Sequence, residues 1–540
     1  MFRTNAGVAE IRGKNPVELM RGLGFAHASD RIAQMTLVRL IGQGRLCECL
    51  SDTEDSLAID IFLRRQGFSQ LAREEVERLA PETRELVVAY SAGVNEFLQS
   101  GSLPWGLRLA GCRPEPWEPA DSLITVLMMS YVGLAQTQQD LEKCLIQLIH
   151  DGCDLEKLKR LYAPHLDAVD DELVDLIRGL SIVEPLVPPL PAIVPRVTSS
   201  NAWAVAPQRS ATGSALQCND PHLECARLPA IWYEVVMKLP DDYQIGITMP
   251  GVPGLIMGRN RNLSAGFTYG FMDMIDYFIE ECRGERYQRE EGDRPFRVRR
   301  ETIRRRKNPS VEIRVLENEH GLLECDPRAD SLPDGRYLVR AFSSTLGGTA
   351  RSLDVLARWP RAQSVAEAQQ IVREASISCN WVLADRHGNI GYQQSGLLPA
   401  RKHSGLHPVP GWKREFAWTG IVPGDQLASE FNPPDGIICS ANDDRQKPGA
   451  PLAITLSQGP YRSHRIRELL EGSRAHTLEG MRAMQADLVS VQARRFMEVL
   501  RPLLPDSRAG RILAEWDLRY DAESVGATLF EAFYARLLPL

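Results

Sequence analysis

What the 540-residue sequence lacks narrows its function first. Eleven cysteines are scattered with no C-x-x-C pair, and Cys47 and Cys49 in "CEC" form the only close pair. That pattern fits neither a zinc ribbon nor a disulfide-stapled scaffold, and it suits a reducing compartment. Positive charge is not in excess: 63 Lys and Arg stand against 70 Asp and Glu, a net charge of -7. A phosphate-binding surface needs a basic face, so a nucleic-acid partner is disfavoured. The one basic run, "RVRRETIRRRK" from Arg297 to Lys307, alternates Arg with Val, Thr and Ile, which predicts an edge strand with its charges in solvent. No apolar run reaches the roughly 20 residues of a membrane span; the longest, Ser122 to Ala135, falls short. The start, "MFRTNAGVAEIRGKN", has no apolar signal-peptide core, which points to the cytoplasm, with the periplasm as the alternative if the true start lies upstream.

Familiar catalytic signatures are missing too. There is no P-loop and no H-E-x-x-H, and the lipase-type G-x-S-x-G is absent. "AYSAG" (Ala89 to Gly93) comes close but sits in an amphipathic helix pattern, and "RGLGFA" lacks the third glycine of a dinucleotide fingerprint.

What is present divides the chain into two. Residues 1–185 read as helix-rich: "NPVELMRGLGFAHASDRIAQM" opens with an Asn-Pro start, "APETRELVVAYSAGVNEFLQSG" is amphipathic, and "SLITVLMMSYVGLAQTQQDLEKCLIQLIH" reads as one helix, apolar nearly all round at first. A proline-dense spacer occupies 186–199. Residues 200–540 turn β-rich, with short β-branched or aromatic runs such as "NAWAVA", "IWYEVVMKL", "LSAGFTYG" and "RYLVRAF". "DRHGN" is a hairpin turn.

The junction, "VTSSNAWAVAPQ", puts Ser199 and Ser200 between the spacer and a strand. A serine hydroxyl is a weak nucleophile and needs a base. A serine freed as a new N-terminus carries one, because its α-amine titrates near about 7.7–8.0 and is partly neutral at physiological pH. A cut between Ser199 and Ser200 in this exposed connector would create it.

The stretch "SSNAWAVAPQRSATGSALQCNDPHLECARLPAIWYEVVMKLP" resembles the start of the catalytic chain in the penicillin acylase family of N-terminal nucleophile hydrolases. The likeness extends through "PGVPGLIMGRNRNLSAGFTYGFMDMIDYFIEE", "NWVLADRHGNIGYQQSGLLPAR", "PVPGW" and "CSANDDR", and upstream to "GFAHASDRIAQMTLVRLIGQGRLCE". It implies an α+β protein with a four-layer αββα core, made as one precursor that cuts itself into associating α and β fragments. Members of the family usually continue beyond the point matched by "FEAFYARLLPL".

Carried over position by position, the resemblance makes Ser200 the nucleophile and Asn201 a residue that fixes its strand. Tyr269 would supply a backbone N–H, and Asn442 a side-chain amide, to an oxyanion hole. Arg462 would support the site and keep the terminal amine's pKa low. His222 would orient the serine hydroxyl or share its proton, and it leans the acyl group toward aliphatic. Read alone, His222 and Asn442 are turn residues and Arg462 is helix-surface charge. Asp273, Ile275 and Asp276, completed by Asp140 or Glu142, would hold a structural Ca2+, which favours hard oxygen ligands; the family's further acid after "AND" is missing. Met129, Tyr131 and Leu134, with Met128, are candidates for the acyl pocket. The expected partner is a small N-acyl substrate, with no nucleic acid and no membrane. Ser199 stands where the family commonly has glycine. The alternatives are an uncut, inactive relative that binds ligand or serves structurally, and a serine hydrolase with an ordinary Ser–His pair.

Overall fold

The computed structural model describes residues 2–101, 103–182, 199–223, 230–446 and 450–537. The spacer therefore lies outside the described residues except for Ser199. Helix α1 (Pro16–Gln43) starts as its Asn-Pro signal requires: the Asn15 side chain accepts from the Glu18 N–H, with Pro16 in the first turn. Helix α2 (Pro81–Gln99) crosses it closely. A Cβ added at Gly24 would come within 2.0 Å of the Tyr90 carbonyl oxygen, and one at Gly93 within 1.9 Å of that of Arg21. The two near-miss motifs, "RGLGFA" and "AYSAG", are thus the bare backbone patches that let two helices touch.

The third apolar segment is not one α-helix. It runs as α3 (Pro119–Met128), a π-helical stretch Met129–Ala135, then α4 (Gln136–His150). In α3 every residue from Ala120 to Leu127 is buried, as a run that is apolar nearly all round requires.

Six strands position the site: β1 (Ser199–Val205), β2 (Leu216–His222), β3 (Leu263–Tyr269), β4 (Ile275–Arg283), β5 (Cys379–Asp385) and β6 (Ile437–Ser440). Among the described residues the strands form sheets of nine, eight and three. The small sheet has the order β6-β1-β2, and the large one contains β3 beside β5. These two sheets pack face to face, with Ala202, Ala204 and Ile438 against Val382, Ala384, Ile390 and Tyr392. Trp203, Val205, Ile437 and Cys439 bury the small sheet's other face against Ile466 and Leu470 of helix α5 (Tyr461–Glu471). On the far side of the large sheet, Trp381 and Leu383 share a core with α1, α2 and the helix Val365–Val372. The result is helix, sheet, sheet, helix: the four-layer αββα order.

Two features refine the division at the spacer. The helix-rich part supplies strands of its own, Phe2–Arg3 and Ala9–Arg12, the latter pairing in parallel with Tyr233–Lys238. The β-rich part ends in helices, α5 and four more, from Leu478 to Leu537. The basic run forms strand Arg297–Ile303 at an edge of the eight-stranded sheet, where Arg299 pairs with Glu301 and Glu317. The ten described cysteines are free. No helix among the described residues is long and apolar enough to cross a membrane.

A buried histidine ties α1 and α2 to the large sheet. His27 Nδ1 lies 2.7 Å from the Tyr90 hydroxyl, and Nε2 lies 2.8 Å from that of Thr248. Thr248 donates to the Tyr233 carbonyl, so it accepts from His27 Nε2–H, and the ring is neutral. Burial, helped by Arg31, lowers the His27 pKa from 6.5 to about 3. The unfolded chain binds this proton more readily than the folded one. Stability from His27 is therefore complete above about pH 6.5 and is lost as pH falls toward 3, by up to about 2–3 kcal/mol near pH ~4.5. Thermal melts should show a steeper fall in Tm between those pH values for the wild type than for His27→Gln.

Candidate active site

Strand alternation decides what surrounds Ser200. Ser200 is on the same face of β1 as Ala202 and Ala204, between the sheets, and is 7% exposed. Ser199, Asn201 and Trp203 face α5. The strand is held from both sides: β6 pairs with its later residues, and β2 aligns Pro221 with Ser200 and His222 with Ser199.

Four of the residues named from the resemblance meet at the start of β1. The Ser200 N–H donates to Asn442 Oδ1 at 2.8 Å, and Asn442 Nδ2 reaches Ser200 Oγ at 3.4 Å. The same Nδ2 donates to the Tyr269 carbonyl at 2.9 Å. Arg462 clamps the group: Nη1 donates to the Ser200 carbonyl and to Asn201 Oδ1, each at 2.8 Å, and Nη2 to Asn442 Oδ1 at 3.0 Å. Burial lowers the Arg462 pKa. Asn442 itself has φ 70°, a left-handed conformation that asparagine tolerates better than most residues, and this aims its amide back at Ser200.

Register explains why Tyr269 presents backbone to this cluster. Gly270 N–H donates to the Ser378 carbonyl, so Gly270 and Ser378 form a hydrogen-bonded pair of the antiparallel ladder. The neighbouring pair, Tyr269 and Cys379, then has its N–H and C=O groups turned away from β5. The Tyr269 carbonyl takes Asn442 Nδ2, and its N–H points to the same side. The arrangement puts a buried hydroxyl beside an amide N–H donor and a backbone edge, with a fixed guanidinium behind.

His222 is not in this cluster. Opposite residues in a sheet share a face, so His222 lies on the side of Ser199, away from Ser200. Its ring is exposed and pairs through Nε2 with Asp220 at 2.9 Å. This arrangement does not let it orient the Ser200 hydroxyl. Tyr131 does not line a pocket either. It is fully buried among Phe62, Phe68 and Phe342, with its hydroxyl donating to Gln139 at 2.6 Å and accepting from Arg340. Met129 and Leu134 are part-buried against the same core.

The acids named for calcium are buried near one another, and Asp273 Oδ1 and both Glu142 carboxylate oxygens have no hydrogen-bond partner. Among the described residues no group of three or more His, Cys, Asp and Glu side chains is arranged to hold a metal ion. Asp273 and Asp276 are bridged by Arg401, and the Glu142 carboxyl from α4 lies beside them. Burial, with Asp273 and Asp276 alongside, pushes the Glu142 pKa well up, toward the neutral acid.

Sequence reading missed three participants. Gln458 accepts from Arg462 at 2.5 Å and lies 3.5 Å from the Ser199 hydroxyl; it stands just before the Gly-Pro that opens the helix carrying Arg462. Asn219 Nδ2 joins the two sheets, donating to the Asn201 and Phe267 carbonyls at 2.9 and 3.1 Å; it stands in "NDPHL", beside the histidine that was chosen. Ser440 meets Thr268 at 2.8 Å and ties β6 to β3.

The family model for penicillin amidase matches residues 1–540. The chain is 30% identical to the penicillin acylase 2 proenzyme of Pseudomonas sp. (strain SE83), over 100% of this chain and 71% of the relative. It is also 30% identical to the acyl-homoserine lactone acylase QuiP of Pseudomonas aeruginosa, over 95% of this chain and 65% of the relative. It thus spans about two thirds of the length of these two relatives. In fold it is similar to a thermostable penicillin G acylase from Alcaligenes faecalis, with a TM-score of 0.52, 22% identity and 60% of each chain covered. With the match running from end to end, the chain belongs to the penicillin amidase family.

Proposed function

We propose that this chain is a precursor that cuts itself before Ser200 and then hydrolyses a linear N-acyl amide with the freed serine. The observation that carries this reading is the pair of contacts between Ser200 and Asn442, 2.8 Å at the backbone nitrogen and 3.4 Å at the hydroxyl. One side chain thereby addresses both the nucleophile and the nitrogen that becomes its base.

In the precursor, Ser200 Oγ attacks the Ser199 carbonyl carbon, the peptide C–N bond breaks, and water hydrolyses the resulting ester. Ser199 leaves as a carboxylate and Ser200 gains a free amine. In the cut form that amine takes the hydroxyl proton directly or through one water. Oγ attacks the substrate carbonyl while the Tyr269 N–H and Asn442 Nδ2 hold the oxyanion. The proton passes to the leaving amine, and water cleaves the acyl ester. Arg462 keeps the Asn442 amide and the Ser200 carbonyl in register throughout. The relatives' names point to a β-lactam side-chain amide or an N-acyl homoserine lactone as substrate, with the two fragments staying together.

Intact-mass analysis of the purified protein is expected to give two fragments with the new terminus at Ser200. The same sample should release free amine from a panel of N-acyl homoserine lactones and penicillins. A single uncut chain that releases no amine would overturn the reading. Covalent labelling of Ser200 in an uncut, active chain would replace it with an ordinary serine hydrolase.

A further inference from the structure

Two residues past Tyr269 the backbone enters a strained conformation. Phe271 has φ 51° and is 8% exposed. A bulky side chain rarely tolerates this left-handed region, because its Cβ crowds the following carbonyl oxygen. Such a conformation persists only where the surroundings over-determine it. Here one residue does so from both sides. The Ser378 carbonyl accepts from the Gly270 N–H at 3.1 Å, and the Ser378 hydroxyl accepts from the Met272 N–H at 2.9 Å. Phe271 is the residue between those two bonds.

The packing is shaped around this clamp. Ser378 is fully buried, as is Met272. A Cβ at Gly270 would come within 2.6 Å of Ser378 Oγ. One at Gly396 would lie 2.5 Å from Met272 Sδ and 3.4 Å from Ser378 Cα. These two glycines leave the room in which the Ser378 hydroxyl meets the Met272 N–H. Just before the turn, the Tyr269 carbonyl takes Asn442 Nδ2 at 2.9 Å and Asn380 Nδ2 at 3.4 Å. With its carbonyl held there, the direction of Tyr269, its N–H included, depends on how the chain leaves it through Gly270 and Phe271.

We propose that Ser378 is a positioning residue for the oxyanion hole: it clamps the Phe271 turn in its left-handed form and so keeps the Tyr269 N–H aimed at the carbonyl under attack. The proposal rests on the function proposed above. Without the hydroxyl, the buried Met272 N–H loses its partner and Phe271 is released toward negative φ. The Ser378 carbonyl still holds Gly270, so the expected change is a re-aimed turn rather than an unfolded one. A reacting group displaced by about 1 Å costs on the order of 10²-fold in rate. Fully buried, Ser378 acts on the reaction only through Tyr269.

The test is Ser378→Ala in the full chain, with kcat taken per cut chain. Fragment appearance should slow, kcat should fall about 10–100-fold, and KM should stay within about twofold. An alkylboronic acid gives the readout that a merely structural role would not move. It adds to the Ser200 hydroxyl and places a tetrahedral oxyanion in the hole, so its affinity should fall in proportion to kcat. Wild-type kcat in Ser378→Ala, or a lower kcat with boronate affinity unchanged, would overturn the proposal. Should the alanine variant fail to fold, Ser378→Cys fills nearly the same space with a weaker acceptor and is read in the same way. An uncut, inactive wild type would overturn the function and this proposal with it. An active wild type beside an undiminished Ser378 variant would overturn this proposal alone.

Discussion

Ser200→Ala is expected to give one uncut chain whose amide hydrolysis has fallen by a factor on the order of 10^4–10^6. The substitution removes one oxygen from a site that is 7% exposed, and alanine already follows at 202 and 204 on the same face of the strand. Its backbone N–H keeps the bond to Asn442 Oδ1 and its carbonyl keeps Arg462, so the fold has no reason to change. Both reactions fail for a single cause: no hydroxyl remains to attack either the Ser199 carbonyl or a substrate. Mass analysis reads the first failure and amine release reads the second. A cut chain in the alanine variant would assign processing to another agent.

Asn442→Gly is expected to lower kcat about 10²–10³-fold, equivalent to about 2.7–4 kcal/mol of lost oxyanion stabilisation. Glycine is the informative choice, because position 442 has φ 70° and alanine would add backbone strain there. The loss has two parts. Without Nδ2, the oxyanion keeps only the Tyr269 N–H. Without Oδ1, the Ser200 nitrogen and Arg462 Nη2 lose a shared acceptor. Self-cleavage should slow as well, since the Ser199 carbonyl develops the same charge. Comparing the rate of fragment appearance with kcat separates the two roles. An Asn442→Gly enzyme at near wild-type kcat would remove the side chain from the oxyanion hole.

The fold was largely legible in the sequence because its strands have strong local signals. "NAWAVA", "LSAGFTYG" and the "DRHGN" hairpin all appear within a residue or two of where alternation and turn chemistry put them. The strand Ala9–Arg12 carried no such signal. Four residues paired in parallel with a partner more than 200 positions away are specified by tertiary contacts alone. The π-helical turn was equally silent, since an apolar run has no mark that tells an i+4 bond from an i+5 bond.

At the site, the resemblance named Ser200, Tyr269, Asn442 and Arg462, and the structure brings these four together. His222 shows what a motif cannot tell: spacing gave its distance along the chain, while strand parity set its face. Arg401 shows the complementary gap. "GLLPARK" reads as an ordinary basic loop, and only the folded chain lays its guanidinium between two acids from "MDMID".

The N-terminal strand Ala9–Arg12 bears on what a cut at the junction could release. It lies in the same sheet as β3, and the Ala9 and Ile11 side chains are buried in a core shared with α1 and with Tyr233, Val235 and Met237. A break between Ile182 and Ser200 would therefore sever the backbone without creating a separable subunit, because no surface between the two pieces comes away without opening a sheet. The pieces would melt as one cooperative body, and once apart each would carry half of an interrupted core. Processing would then be a one-way event in the life of each molecule, with folding finished before the bond breaks.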